Sequence, residues 1–284
     1  MWHSFVSTQR SWLVWLALAA MLLTTLACGF EGGAFGSTPT PVTNQVVLPN
    51  VGGAPSGPAA VPDLAQAPVE GILITLPQPG QGARGTLRIE GLSDPVLASQ
   101  LNVVVRDAAG TVIGAARPTT QAPADQRSAF AAEVAIPAEV AQQAGRVQVY
   151  AVSSGNNAVT HLTSVEVELN SDKQIKAAPI DPQTPEAIAM IFPSPNAEVK
   201  GVARVAAATM VGPKIVIEVV DANNQSVGRV EQTVDLQAGS PAQIMAEVPI
   251  TVATAGPGRV LVYAVSARDG ATEHLSSVEV NLVP

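Results

Sequence analysis

The sequence predicts an all-β chain, two tandem copies of one antiparallel sandwich behind an export signal and a Gly/Pro-rich tether. Three observations carry this reading. First, Gly145–Ser153 (GRVQVYAVS) reappears as Gly258–Ser266 (GRVLVYAVS), and His161–Val167 (HLTSVEV) as His274–Val280 (HLSSVEV), both at an offset of 113. Second, the segments around these blocks are short, rich in Val, Ile and Thr, and separated by turn signals. Third, about the first 70 of the 284 residues show neither pattern.

Taken in order, residues 1–27 read as a lipoprotein signal peptide. His3 and Arg10 precede an uncharged run, Trp12–Leu23 (WLVWLALAAMLL), which ends in TTLACG. That ending is similar to the lipobox of bacterial lipoproteins, with Ala27 as the small residue before Cys28 and Leu26 as an apolar one. Thr25 stands where the pattern usually has Leu. The resemblance implies lipidation of Cys28, with a diacylglyceryl group of palmitate-type chains and Cys28 as the new N-terminus. The competing reading, an uncleaved span, has fewer apolar residues than the ~20 a bilayer needs. Cys28 is the single cysteine, so no intrachain disulfide is available.

Residues 28–69 are dense in Gly, Pro, Ser, Thr and Ala, which breaks both helical and alternating periodicity. They read as a flexible, disordered tether. Residues 70–170 are the first domain, 171–186 (NSDKQIKAAPIDPQTPE from Asn170) a polar linker unmatched between copies, and 187–284 the second domain. Upstream of the two repeat blocks the offset drifts. Asp107 pairs with Asp221 at 114, and Pro77, Pro79 and Gly85 pair with Pro193, Pro195 and Gly201 at 116. A duplicated domain with small length changes at turns produces such a drift. About seven strands in about 100 residues, with no long helix, is the content of an immunoglobulin-like sandwich. In the first copy Val147, Val149 and Ala151 are expected to face inward, and Gln148 and Tyr150 the other way. Ala138–Ala144 (AEVAQQA) allows a helical turn.

Several of these residues also carry a family resemblance. The openings Pro77-Gln78-Pro79 and Pro193-Ser194-Pro195, the second strand running to Gly91, the Asp107…Gly110 hairpin and the closing pair with Arg268-Asp269-Gly270 resemble the immunoglobulin-like domain of bacterial spore germination. The resemblance spans about 71–170 and 187–284. Ala207 and Asn224 in the second copy stand where the pattern has Gly. The resemblance implies a binding or architectural role outside the cell and brings no catalytic residues with it.

Composition narrows the function classes. Charged residues make up 13% of the chain, aromatics 4%, and the formal charge is −8. There is no basic stripe, so nucleic acid is not an expected partner. His161 and His274 recur at equivalent places, but neither copy holds a Cys or a second His to complete a metal or catalytic set. They read as shared structural residues, and no metal or cofactor is expected. Asp221-Ala222-Asn223-Asn224 offers one acid where calcium wants several, so it reads as a hairpin turn. Glu133 with Glu247, and Glu166 with Glu279, fall in alternating strands and read as outward-facing. Tyr150 and Tyr263 read as packing residues ahead of a contact surface. No nucleophile elbow, phosphate loop or dinucleotide fingerprint is present, so an enzyme is not expected.

The expectation is a non-enzymatic binding or scaffolding lipoprotein of the cell envelope. It would sit on the outer face of the membrane, held by covalent lipid on Cys28, with other envelope proteins or wall polymers as partners. The family resemblance adds an accessory role in spore or envelope remodelling. The alternatives are a structural spacer and a carbohydrate- or ion-binding module.

Overall fold

The computed structural model describes residues 68–120, 126–176 and 178–284. The signal peptide, Cys28 and nearly all of the tether lie outside them. Among the described residues no helix is long and apolar enough to cross a membrane.

The first domain runs β1 (Ile72–Leu76), β2 (Gln81–Ala83), β3 (Thr86–Ser93), a single helical turn α1 (Pro95–Ala98), β4 (Leu101–Arg106), β5 (Val112–Ala116), β6 (Thr119–Thr120), β7 (Ser128–Ala135), β8 (Gln143–Val152) and β9 (Val159–Leu169). One sheet has the order β1-β3-β7-β6; the other has β5-β4-β8-β9, with β2 added in parallel to β9. The second domain repeats this plan with β10 (Ile188–Phe192), β11 (Ala197–Lys200), β12 (Val202–Thr209), β13 (Lys214–Asp221), β14 (Ser226–Thr233), β15 (Ala242–Pro249), β16 (Gly256–Val265) and β17 (Thr272–Val283). Its sheets are β10-β12-β15 and β14-β13-β16-β17, with β11 parallel to β17. Two antiparallel sheets face to face, with a short parallel strand on the last one, make an immunoglobulin-like sandwich.

Alternation builds both cores. Val103, Val105, Val147, Val149, Val165 and Val167 enter the first, and Ile215, Ile217, Val260, Val262, Val278 and Val280 enter the second. Each fully buried Val or Ile contributes roughly 1.5–3 kcal/mol. The first core is aliphatic except for Phe130.

The two substitutions that set the second copy apart have physical compensations. Gly91 in β3 lies opposite Phe130 in β7, and a methyl on Gly91 would overlap the Leu73 carbonyl oxygen and the Phe130 ring. At the matching place Ala207 lies opposite Ile244, so the larger residue on one strand faces the smaller residue on the other. Gly110 has φ 80° and Asn224 has φ 60°: both occupy the left-handed region that the hairpin requires, which Asn tolerates.

One detail differs from the expectation and two add to it. Ala138–Ala144 is not helical: Val140 N–H closes a turn on Pro137 O (3.2 Å), and Gln143 already begins β8. Among the described residues the one helical turn follows Asp94-Pro95, where Pro is pre-set for the first helical position. The polar linker is also hydrogen-bonded to the first domain. Gly82 N–H donates to Lys173 O and Glu70 N–H to Thr184 O (2.8 and 2.9 Å).

Candidate functional site at the seam between the domains

The last strands of the two domains pair with each other. β17 runs antiparallel to β9, with Leu275 opposite Leu162 and Ser276 opposite His161, so one sheet continues from β14 through to β5. Leu162 and Leu275 are the same residue of the repeat, at offset 113. A second bridge joins Val69 to Pro185, again equivalent positions, at offset 116. Equivalent residues facing one another across antiparallel bridges is the arrangement of a two-fold axis. The tandem therefore has an internal pseudo-two-fold axis along its seam. On the outer face of the shared sheet Leu162, Leu275, Leu261 and Val220 form a small apolar cluster, with Tyr150, Tyr263 and Val159 packed against it. Tyr263 donates its hydroxyl hydrogen to Glu218 (2.9 Å). The two tyrosines thus pack at the seam.

The axis brings together residues far apart in sequence. Glu70 and Glu186 are equivalent at offset 116, as His161 and His274 are at 113, and each Glu sits just ahead of the first strand of its domain. The His161 Nε2 lies 3.4 Å from Glu70 Oε1 and 3.2 Å from Glu186 Oε1, with all three side chains largely shielded from solvent. The ligating atoms of the trio are within 4.8 Å of one another. Ala187 N–H donates to Glu70 Oε2 (2.8 Å), which turns Oε1 toward the imidazole. Arg127 is taken up by the Glu70 and Pro182 carbonyl oxygens and by the Asp94 carboxylate. His274 is close by, its Nδ1 3.4 Å from Thr163 Oγ1.

Burial dominates the electrostatics of this pocket. It pushes the Glu186 carboxyl up to about 7 against the opposing pull of His161, with Glu70 and Asp94 adding to the rise. For His161 burial works against charging, but the Glu70 hydrogen bond and the fields of Glu186, Glu70 and Asp94 outweigh it and raise its pKa. Burial lowers the pKa of His274 and so favours its neutral ring. A cleft of about 430 Å³, lined in part by Gly71, Asp94, Leu97 and Ser276, opens onto His161 and Glu186.

Further along the seam lies a second ionic group. Arg146 in β8 is 1% exposed and reaches Glu166 (2.8 Å) in its own domain and Asp269 (3.2 Å), Glu273 (3.1 Å) and Ser266 Oγ (2.7 Å) in the other. Gln148 adds a bond to Thr272 O (2.7 Å), and Arg268 pairs with Glu166 and Asp269. Gln148 thus faces away from the core as expected, but toward the other domain, where it is buried. The equivalent of Arg146 is Arg259, also buried and paired with Glu279 (2.6 Å). Asn156 and Thr160 stand where the second copy has Asp269 and Glu273, so the mirror network lacks acids. Arg259 Nη1 is buried with no hydrogen-bond partner among the described residues.

The other residues singled out from the sequence fall elsewhere. Asp221 Oδ1 accepts the N–H groups of Asn223 and Gln225 (2.8 Å each), a self-closing hairpin turn, as Asp107 does for Ala109 and Thr111. Glu133 and Glu247 are exposed on their strands. Cys28 lies outside the described residues. Glu70 and Glu186 belong to no local motif: each copy on its own offers His161 no Cys or second His, and its carboxylate partners come from both copies. Their shared offset of 116 is the signal that points to them.

The fold and the seam define a class: a tandem immunoglobulin-like module. Residues 71–158, most of the first sandwich, match the family model of the immunoglobulin-like domain of bacterial spore germination. Similar solved structures include the ectodomain of the teleost fish polymeric Ig receptor, at 9% identity over 75% of this chain and 98% of that one, TM-score 0.21. The two tandem V-type regions of VCBP3, a v-region-containing chitin binding protein, align at 8% identity over 75% of this chain and 99% of that one, TM-score 0.30. Red sea bream transglutaminase aligns at 10% identity over 75% of this chain and 31% of that one, TM-score 0.27. No curated protein matches the chain.

Proposed function

We propose that this chain is a non-enzymatic, lipid-anchored module on the outer face of the cell membrane that binds or scaffolds other envelope components. The observation that supports the reading is the open edge at each end of the shared sheet. Among the described residues β5 and β14 pair only with β4 and β13, and they occupy equivalent places in the two domains. An unpaired edge is a template for strand addition by a partner segment. The shared sheet holds the two edges in a set relation, which suits presentation of two sites to one partner. The match of the first domain to the spore-germination family supports an accessory role beside spore or envelope remodelling machinery. Acylation of Cys28 would supply membrane attachment without a spanning helix.

The test has two arms in the native host. In fractionation, wild type stays with the membrane and Cys28→Ser is released. In crosslinking, a photoreactive residue in place of Val112 on β5 captures one reproducible envelope partner. Capture of none, from a protein that remains anchored, turns the reading into a spacer. Retention of Cys28→Ser at the membrane removes the lipid anchor.

A further inference from the structure

We propose that Glu70, His161 and Glu186 form a binding site for one divalent transition-metal ion of the zinc class, held between the two domains.

The first argument is geometric. Zinc binds imidazole nitrogen and carboxylate oxygen at ~2.0–2.2 Å, so two ligand atoms on one tetrahedral edge lie roughly 3.4 Å apart. The His161 Nε2 is 3.4 Å from one carboxylate oxygen and 3.2 Å from the other. The two oxygens lie within 4.8 Å of each other, and a modest rotation of either carboxylate closes the third edge.

The second argument is hydrogen-bond supply. A single ring nitrogen carries at most one proton, yet Nε2 faces two shielded carboxylates at once. One N–H cannot satisfy both, and Arg127, the nearby cation, is spent on Asp94 and on backbone carbonyls. Buried charge in this state is costly unless paired. An ion at the centre of the trio satisfies all three donors together.

The third argument is access and support. The cleft beside His161 and Glu186 provides an entry path and room for water at the open fourth position. Gly71 keeps that space: a methyl there would come 3.2 Å from Nε2, and the equivalent residue in the second copy is Ala187. The Ala187 N–H on Glu70 Oε2 is the outer-shell bond that orients a ligating carboxylate. The donor set selects the metal. An imidazole with two carboxylates suits zinc, iron, cobalt or manganese, whereas calcium wants six to eight oxygens.

The test uses the full chain purified in detergent, stripped with chelator and then offered Zn²⁺ alone. The wild type should retain one zinc per chain through gel filtration. At a free concentration 100-fold above its dissociation constant, zinc should raise Tm by roughly 5–10 °C. Cobalt in place of zinc should give a tetrahedral visible absorption band. Glu186→Gln and Glu70→Gln keep the side-chain volume and replace a ligating carboxylate by a weakly ligating amide. Each should fold, lose the cobalt band and bind zinc on the order of 100-fold more weakly. His161→Ala should abolish retention, with circular dichroism verifying the fold. Two results overturn the proposal: no stoichiometric zinc in the folded wild type, or zinc binding that neither Glu→Gln variant changes.

Discussion

At the residue scale, the two buried arginines are an internal experiment. Arg146 and Arg259 hold the same place in the repeat, but only Arg146 meets Asp269, Glu273 and Ser266 across the seam. Removing one partner of a buried ionic network leaves the others uncompensated. Arg146→Met is therefore expected to cost ~3–5 kcal/mol in urea denaturation. Arg259→Met, which removes an unsatisfied buried nitrogen, should cost much less. Asp269 supplies a pH dependence. Burial raises its pKa, but the Ala271 N–H, the Arg268 and Arg146 guanidiniums and the Ser266 hydroxyl prevail and hold it at about 2. Glu273 and Glu166 are the other charges facing this group. A carboxyl depressed on folding stabilises the protein above its unfolded pKa and loses that stability as pH falls through the folded value. Asp269 should thus contribute about 2 kcal/mol near neutral pH, lost between about pH 4 and pH 2. Asp269→Asn should flatten that limb of the stability profile measured from pH 6 to pH 2. Of these residues the sequence exposed the repeated His and Arg as pairs. It hid Glu70 and Glu186: Glu70 opens the first domain ahead of any strand pattern, and Glu186 closes the polar linker.

At the element scale, strands with β-branched residues in alternation were legible, and they account for β1, β3 to β5 and β7 to β9 of the first domain. What escaped has a physical reason. β2 is Gln-Gly-Ala, with no β-propensity of its own, and exists because it docks in parallel on β9. β6 is two exposed threonines held by β7. The compensated pair gives a prediction at this scale. Gly91→Ala should destabilise the first domain by ~1–3 kcal/mol through overlap with the Leu73 carbonyl oxygen and the Phe130 ring. Together with Phe130→Ile it reproduces the Ala207–Ile244 pair of the second domain. The double variant should be more stable than the sum of the singles by at least ~0.5 kcal/mol. Additive effects in a double-mutant cycle would show that the Leu73 carbonyl, not the ring, sets the cost.

At the scale of the whole molecule, the repeat announced two domains but not how they meet. Offsets of 113 and 116 say which residues correspond, and only the coordinates show correspondents facing each other at Leu162–Leu275 and Val69–Pro185. The two sandwiches should therefore unfold together. Calorimetry of the wild type is expected to show one transition with matching calorimetric and van't Hoff enthalpies. Leu162→Asp with Leu275→Asp, which places like charges opposite each other on the joining strands, should split it into two. A single transition in that variant would locate the coupling in the Arg146 network instead.

A seam in which like meets like has a further meaning. Two separate copies of one sandwich, joined edge to edge through their final strands, would meet through the same pairs of residues. Tandem fusion makes such a homodimer permanent, independent of concentration, and no longer bound to be symmetrical. Each half is then free to drift: one side of the axis has Asp269 and Glu273, and the other has Asn156 and Thr160. A pair of separate, identical subunits has no means of acquiring that lopsidedness.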